Sequence, residues 1–138
     1  MDKMHFLTGG CVLLLVVFFL TGCHIRKLQP EKVADLEYTI LEEEDIPEAF
    51  LKMLEEKKGN PMMLTFLNDE WLFIGVGYGT QKTSGYSITV DSMYLSPDGI
   101  YLDTTLYGPK PEETVTQVES YPYLVLRTER REESVIFE

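Results

Sequence analysis

The chain has 138 residues, of which 12 are Lys or Arg and 23 are Asp or Glu, giving a formal net charge of −11. This length and a hydrophobic content of 44% are typical of one globular domain with its own core. The acidic balance argues against nucleic acid as a partner, because that affinity depends on clustered Lys and Arg that neutralise phosphates.

The N-terminal segment is typical of a bacterial lipoprotein signal. An uninterrupted apolar run, residues 12–20, ends in Leu20-Thr21-Gly22-Cys23, which has the small residue that the signal peptidase needs before the cysteine. The run is shorter than the roughly 20 residues that span a bilayer. We therefore predict a signal peptide at residues 1–22 and a lipid, palmitate included, on Cys23. Such a lipid anchors stably, so we expect the protein on the extracytoplasmic face of the cell membrane.

The rest of the chain divides into two predicted parts. Residues 23–33 carry the lipid and form a flexible tether, and residues 34–138 form the globular domain. His5 lies in the signal peptide and His24 lies beside the lipidated cysteine, so the domain has neither His nor Cys. This excludes nucleophile systems and metal sites that need those residues. We predict no catalytic residue, no metal, no cofactor and no enzymatic activity.

The domain begins with a predicted strand and a helix. Apolar and polar residues alternate over residues 36–40, which is the period of a strand with one buried face. The acidic run Glu42–Asp45 lacks the spacing of a calcium loop and suits a helix N terminus. Asp45 is the predicted N-cap, and Lys57 and Gly59 suit the C-terminal end. The apolar residues at helical spacing are Ile46, Ala49, Phe50, Met53 and Leu54.

From Pro61 onward the pattern predicts β-strands. Residues 62–67 and 71–78 flank a turn at residues 68–70. The run 71–76 is apolar without alternation, which predicts a central strand covered on both faces, with the helix over one of them.

The later strands include one change of parity. The buried face of residues 86–90 changes parity before Met93, which predicts a β-bulge near Asp91-Ser92. Ser96-Pro97-Asp98-Gly99 is a predicted tight turn. Further strands are predicted at residues 100–106, 121–128 and 135–137. The expected fold class is α+β, with one helix packed on a mostly antiparallel sheet of six to seven strands.

The segment from Gly75 to Tyr86 has the densest glycines in the chain. Lys82-Thr83 looks like the end of a phosphate-binding loop, but the preceding residue is Gln81 and a strand pattern follows instead of a helix. Glycines within strands more often mark bulges or close backbone approach, so we do not predict nucleotide binding.

The chain resembles a known family through two short segments. The first contains Gly79, Thr83-Ser84-Gly85-Tyr86 and Ile88, and the second is Tyr121-Pro122-Tyr123-Leu124-Val125. Together they resemble the C-terminal domain of the PrcB family, over about residues 62–128, although Ser84 stands where the family usually has glycine. The resemblance implies a secreted or lipidated accessory subunit of a surface protease complex, with no established catalysis of its own.

Two interpretations of the glycine-rich loop stay open. The structural one gives Gly85 a backbone conformation forbidden to other residues and makes Tyr86 the start of a buried face. The functional one treats the loop as a contact patch for a protein or peptide, held by rigid strands of a hairpin. The candidate interaction residues are Tyr78, Lys82, Thr83, Ser84, Gly85 and Tyr86.

These patterns predict a membrane-anchored, non-catalytic protein-interaction module, with an extracellular protease or another envelope complex as candidate partner. One alternative is a sugar- or peptide-binding lipoprotein that stacks its ligand on Trp71, Tyr101 and Tyr107. A less favoured one is a cell-wall glycan hydrolase, which needs two carboxylates about 5 to 10 Å apart. The carboxylates on or beside strands are Asp91, Asp103 and Glu119.

Overall fold

A computed structural model of the protein describes residues 31–138. The predicted signal peptide, Cys23 and most of the predicted tether lie outside the described residues. Within residues 31–138, no helix is long and apolar enough to cross a membrane.

The described residues form eight strands, one α-helix and one 3-10 turn at Glu43–Asp45. The helix α1 spans Glu48–Lys57. The strands are β1 (Ala34–Asp35), β2 (Thr39–Ile40), β3 (Pro61–Leu67), β4 (Trp71–Tyr78), β5 (Ser87–Ser96), β6 (Gly99–Tyr107), β7 (Tyr123–Glu129) and β8 (Val135–Phe137).

The strands divide into two four-stranded sheets. Sheet A has the order β1-β5-β6-β8, and sheet B has the order β2-β7-β4-β3. Neighbouring strands are antiparallel except β6 and β8, which are parallel. The hydrophobic clusters show that sheet B lies between α1 and sheet A, so the domain has three layers.

The expected fold, one helix on a single sheet of six to seven strands, is therefore wrong. The protein is mostly β, with two sheets of four strands, and it is α+β only in a broad sense. The physical reason lies in β4, where residues 72–77 are all buried. One ten-residue helix covers only one face of such a strand, and a second sheet covers the other.

The two faces of β4 enter different cores. Leu72, Ile74 and Val76 face sheet A, where they pack with Ile100 and Leu102 of β6 and with Leu126 of the neighbouring strand β7. Phe73 faces α1, and its ring lies 6.4 Å from that of Phe50. The prediction of a central strand covered on both faces, with the helix over one, is confirmed.

The start of the helix differs from the prediction. α1 begins at Glu48 with Pro47 as its N-cap, and no side chain caps it by a hydrogen bond. Asp45 lies in the preceding 3-10 turn, so the predicted Asp45 cap is wrong. Phe50 and Leu54 are fully buried, as the helical spacing predicted.

The predicted β-bulge, the tight turn at residues 96–99 and the hairpin turn at residues 68–70 are confirmed. The register of β5 against β6 shifts between Val90 and Ser92, which places the bulge at Asp91. Gly99 has a positive φ of 149°, and the Ser96 hydroxyl accepts a hydrogen bond from Asp98 N at 3.1 Å. At residues 68–70, Asn68 Oδ1 accepts hydrogen bonds from two backbone amides and closes the β3–β4 hairpin.

The predicted strand at residues 36–40 is replaced by a crossing segment. β1 pairs with β5 in sheet A, and β2 pairs with β7 in sheet B. Residues 33–41 thus pass from one sheet edge to the other, because a two-residue pairing leaves the chain free to change sheets. We call this the crossing segment.

We predict that Gly75→Val destabilises the domain by about 1–3 kcal/mol, the usual cost of overpacking a core. A β-carbon at Gly75 would lie 2.7 Å from Leu54 Cδ2 and 3.2 Å from Phe50 Cζ, both in α1. Gly59→Val is the control, because a β-carbon there meets nothing nearer than 3.9 Å. Chemical denaturation of both variants checks this, and equal stability would mean that α1 does not rest on β4.

Candidate functional site: a groove between two sheet edges

The crossing segment covers only part of one side of the sandwich. In sheet A, Val33 N donates to Leu95 O at 2.7 Å and Leu36 N donates to Met93 O at 3.4 Å. In sheet B, β2 pairs with residues 126–127, and Leu41 N donates to Val125 O at 2.8 Å. Beyond these contacts, the described residues supply no further strand to either edge on this side.

An open groove lies where this cover ends. Its cavity volume is about 460 Å³. We call it the edge groove, and three chain segments line it: Ile40–Glu43 with Ile46, Tyr86–Ile88, and Tyr121–Val125.

The start of β5 presents unpaired backbone groups beside this groove. In β6, Ile100 N donates a hydrogen bond to Ser134 O, and Leu102 O accepts one from Glu138 N. The backbone N–H and C=O groups of the even-numbered residues of β6 therefore point toward β8 and away from β5. Residues 88 and 90 are aligned with even-numbered residues 106 and 104. In an antiparallel pair of strands, hydrogen-bonded and non-hydrogen-bonded residue pairs alternate. The pairs 88–106 and 90–104 are non-hydrogen-bonded, so the backbone N–H and C=O groups of Ile88 and Val90 point to the outer edge of β5. Within residues 31–138, no strand pairs with that part of the edge.

The charged lining of the edge groove is acidic. Glu42 and Glu43 line it, and no Lys or Arg is among the described lining residues. Tyr123 OH donates to Glu55 Oε1 at 3.2 Å. Burial, and then the charge and hydrogen bond of Glu55, raise the pKa of Tyr123 to about 12. The nearby cation, Lys58, lies 2.6 Å from Glu55, whose hydrogen bond raises the pKa of that lysine.

The predicted interaction loop is a connection between sheets. β4 belongs to sheet B and β5 to sheet A, so the expected hairpin at residues 79–86 is wrong. Backbone groups of Gln81 and Ser120 exchange two hydrogen bonds, at 2.8 and 3.0 Å. Ser84 N donates to Thr116 O at 3.1 Å, and the Ser120 hydroxyl donates to Thr83 O at 2.6 Å. The loop is therefore fastened to the β6–β7 connection.

The six candidate residues of that loop lie in different surroundings. Tyr78 is half-buried, and its hydroxyl hydrogen-bonds that of Thr104 at 2.6 Å. Lys82 is exposed, and the Thr83 hydroxyl donates to Ser84 O at 3.0 Å. Tyr86 lines the edge groove.

The groove has members that the sequence analysis did not propose as site residues. In the sequence, Glu42 and Glu43 are part of an acidic run that we interpret as a helix N terminus. Ile88 and Tyr121–Val125 enter it only as part of the family pattern. The groove depends on which two strand edges lie side by side, and local patterns do not specify that.

The three carboxylates of the hydrolase alternative do not line the edge groove. Asp91, at the bulge, accepts hydrogen bonds from the hydroxyls of Thr89 and Thr105. Asp103 lies in β6 and is aligned with Ser92 of β5. Glu119 lies in the β6–β7 connection, where it accepts a hydrogen bond from Tyr121 OH at 3.4 Å. In the described part of the chain, no group of three or more metal-ligating side chains could hold an ion.

The three aromatic residues of the ligand-stacking alternative lie on different sheets. Trp71 is in sheet B on the helix side, and the guanidinium of Arg127 stacks 4.4 Å from its ring centroid. Tyr101 and Tyr107 are in sheet A, where Tyr101 stacks on Tyr94 with ring centroids 5.4 Å apart. These residues do not form one stacking platform.

The fold and the groove define a mostly antiparallel β-sandwich domain with one covering helix and an open side. Residues 72–129 match the family model described as PrcB C-terminal. The predicted resemblance is thus confirmed, over a segment that begins ten residues later than Met62. Both segments of the family pattern lie inside the match, whereas α1 and the crossing segment lie outside it. No curated protein and no solved structure matches the chain.

We predict that Gly85→Val destabilises the domain by at least about 1 kcal/mol, since β-branched residues are excluded from positive φ. Gly85 has φ of 93°, and a β-carbon there would lie 3.0 Å from Pro109 Cβ and 3.1 Å from Val115 Cγ1. Lys82→Ala is the control, because that side chain is exposed. Thermal unfolding checks both, and an unchanged Gly85→Val protein would contradict the structural role of this turn.

Proposed function

We propose that the protein is a membrane-anchored, non-catalytic lipoprotein whose domain binds another protein, as an accessory subunit of a surface protease or another envelope complex. One observation carries the proposal. Tyr86 and Ile88 of the first family segment lie more than thirty residues before the second segment, Tyr121–Val125, yet all of these residues line the edge groove. The match to the PrcB C-terminal family is compatible with an accessory role in a protease complex.

The length of the predicted tether is consistent with this role. An extended chain covers about 3.5 Å per residue, so residues 24–32 would hold the domain within roughly 30 Å of the lipid surface. A partner bound in the edge groove would therefore be retained at the membrane.

The domain's chemistry favours binding over catalysis. The carboxylate of Asp91 is engaged by two threonine hydroxyls, as described above, and the globular domain contains neither His nor Cys. Catalysis by a His base or a Cys nucleophile is therefore not available to the domain acting alone.

We expect Cys23→Ala to release the protein from the membrane fraction or to leave its precursor unprocessed, because the lipid would supply the anchoring energy. Fractionation of cells and mass measurement of the protein check this. Cys11→Ala is the control and should stay lipidated and membrane-bound. A processed, unlipidated Cys23→Ala protein that remained in the membrane would contradict the proposed anchor.

The binding role is tested by photo-crosslinking in intact cells. We expect a photoreactive residue at Tyr121, which is 38% exposed in the groove wall, to capture a defined envelope protein. The same residue at Tyr101, on the outer face of sheet A, is the control. Capture only at Tyr101 would move the interface to sheet A, and capture at neither position would contradict an interaction module.

A further inference from the structure

We propose that the edge groove takes an extended strand of the partner protein, that this strand pairs with the open edge of β5, and that it carries Lys or Arg. This inference rests on the proposed function and names the chemistry of the partner. An extended peptide that adds to a sheet edge obtains affinity from main-chain hydrogen bonds and specificity from pockets for alternate side chains.

The backbone of β5 supplies the first requirement. Ile88 and Val90 direct their amide and carbonyl groups outward, and the crossing segment pairs only near Met93 and Leu95. The edge carries no Lys or Pro that would block pairing, and its residues Ile88, Thr89 and Val90 favour strands. The bulge at Asp91 ends the available edge at one side. The open stretch is therefore short and suits one strand segment.

The groove wall supplies the second requirement. A strand on this edge would place every second side chain toward the cavity. Ile88 and Leu124 give that cavity an apolar wall, and Tyr86 and Tyr123 add aromatic surface with polar tips.

The charge of the groove selects the partner. Glu42 and Glu43 line it without a Lys or Arg among the described lining residues. Lys58 lies 5.1 Å from the ring centroid of Tyr121, and its charge is paired with Glu55 at 2.6 Å. The field of Glu43 also contributes to the raised pKa of Tyr123, after the larger effects of burial and Glu55. An acidic strand would be repelled by these groups and by the net charge of −11, whereas a basic strand would be steered toward them.

These charges lie outside the family match, which begins at Leu72. The β5 edge and the Tyr121–Val125 wall lie inside it. The shared part of the fold thus supplies the place for a strand, and Glu42 and Glu43 supply the preference of this chain.

The direct test uses the full chain in a nonionic detergent and a capped peptide, Lys-Val-Lys-Val-Lys-Val-Lys. We expect amide hydrogen exchange, measured by NMR, to slow about tenfold at Ile88 and Val90 when the free peptide is ten times its Kd. The Thr89 amide faces β6 and should not change. The matched peptide Glu-Val-Glu-Val-Glu-Val-Glu should have no effect. Protection at Met63 and Thr65 on the β3 edge instead would overturn the proposal.

Charge variants test the preference without altering the strands. Glu42→Lys with Glu43→Lys should weaken binding of the lysine peptide about tenfold or more, since charges inside the site act at short range. Glu112→Lys with Glu113→Lys makes the same change of charge at exposed residues outside the groove, and should weaken it much less. Equal weakening by both pairs would show a general charge effect and contradict the inference.

Proline variants test the edge itself. Ile88→Pro removes an outward-facing amide from β5 and should abolish peptide binding. Thr65→Pro removes an outward-facing amide from the opposite edge, β3, and should leave binding intact. If Ile88→Pro fails to fold, the exchange and charge experiments decide the question. Protection of Ile88 and Val90 that rises with protein concentration and without peptide would identify a second copy as occupant and overturn the proposal.

The proposed function and this inference fail in different ways. Capture of a partner at Tyr121 that survives Glu42→Lys with Glu43→Lys would keep the interaction module and overturn the basic strand. Peptide binding without any captured partner would support strand pairing at the β5 edge and contradict the accessory role.

Discussion

The burial of β4 on both faces is the constraint on which the rest of the structure depends. Its even-numbered residues, such as Ile74, need one apolar layer, and Phe73 needs another. Gly75 leaves room for α1 to pack directly against the strand. Sheet A covers the remaining face, because a strand buried on both sides is stable only between two layers. The three-layer arrangement follows from this one strand.

The same arrangement creates the edge groove. Because the two sheets pack face to face, an edge of sheet A lies beside an edge of sheet B. The crossing segment pairs with each of these edges over only a few residues. The part left open is where the family pattern lies. Gly85 turns the connection between the sheets, so that Tyr86 and Ile88 arrive at the edge opposite Tyr121–Val125. Gly85 is therefore needed for the shape of the groove, and the loop that contains it is held by hydrogen bonds to the β6–β7 connection.

The division between family and chain has a functional meaning. The matched segment, residues 72–129, holds the open edge of β5 and the wall formed by the start of β7. The acidic wall comes from residues before the match, at the turn that precedes α1. In the proposed mode of binding, backbone pairing would be common to domains of this kind, and the charge of the second wall would select the partner.

The sequence by itself determined several local elements and the resemblance of residues 72–129 to the PrcB C-terminal family. Uninterrupted apolar residues in β4, the change of parity at Asp91 and the turn residues at Ser96–Gly99 each have a local physical cause, so each could be predicted. The lipid anchor at Cys23 stays a prediction from the sequence, because that residue lies outside the described residues. Only the tertiary structure decided how eight strands divide between two sheets, because strand periodicity records which face is buried and not which strand lies alongside. For the same reason, the sequence separated Glu42, Ile88 and Tyr123, and packing brought them together in one groove.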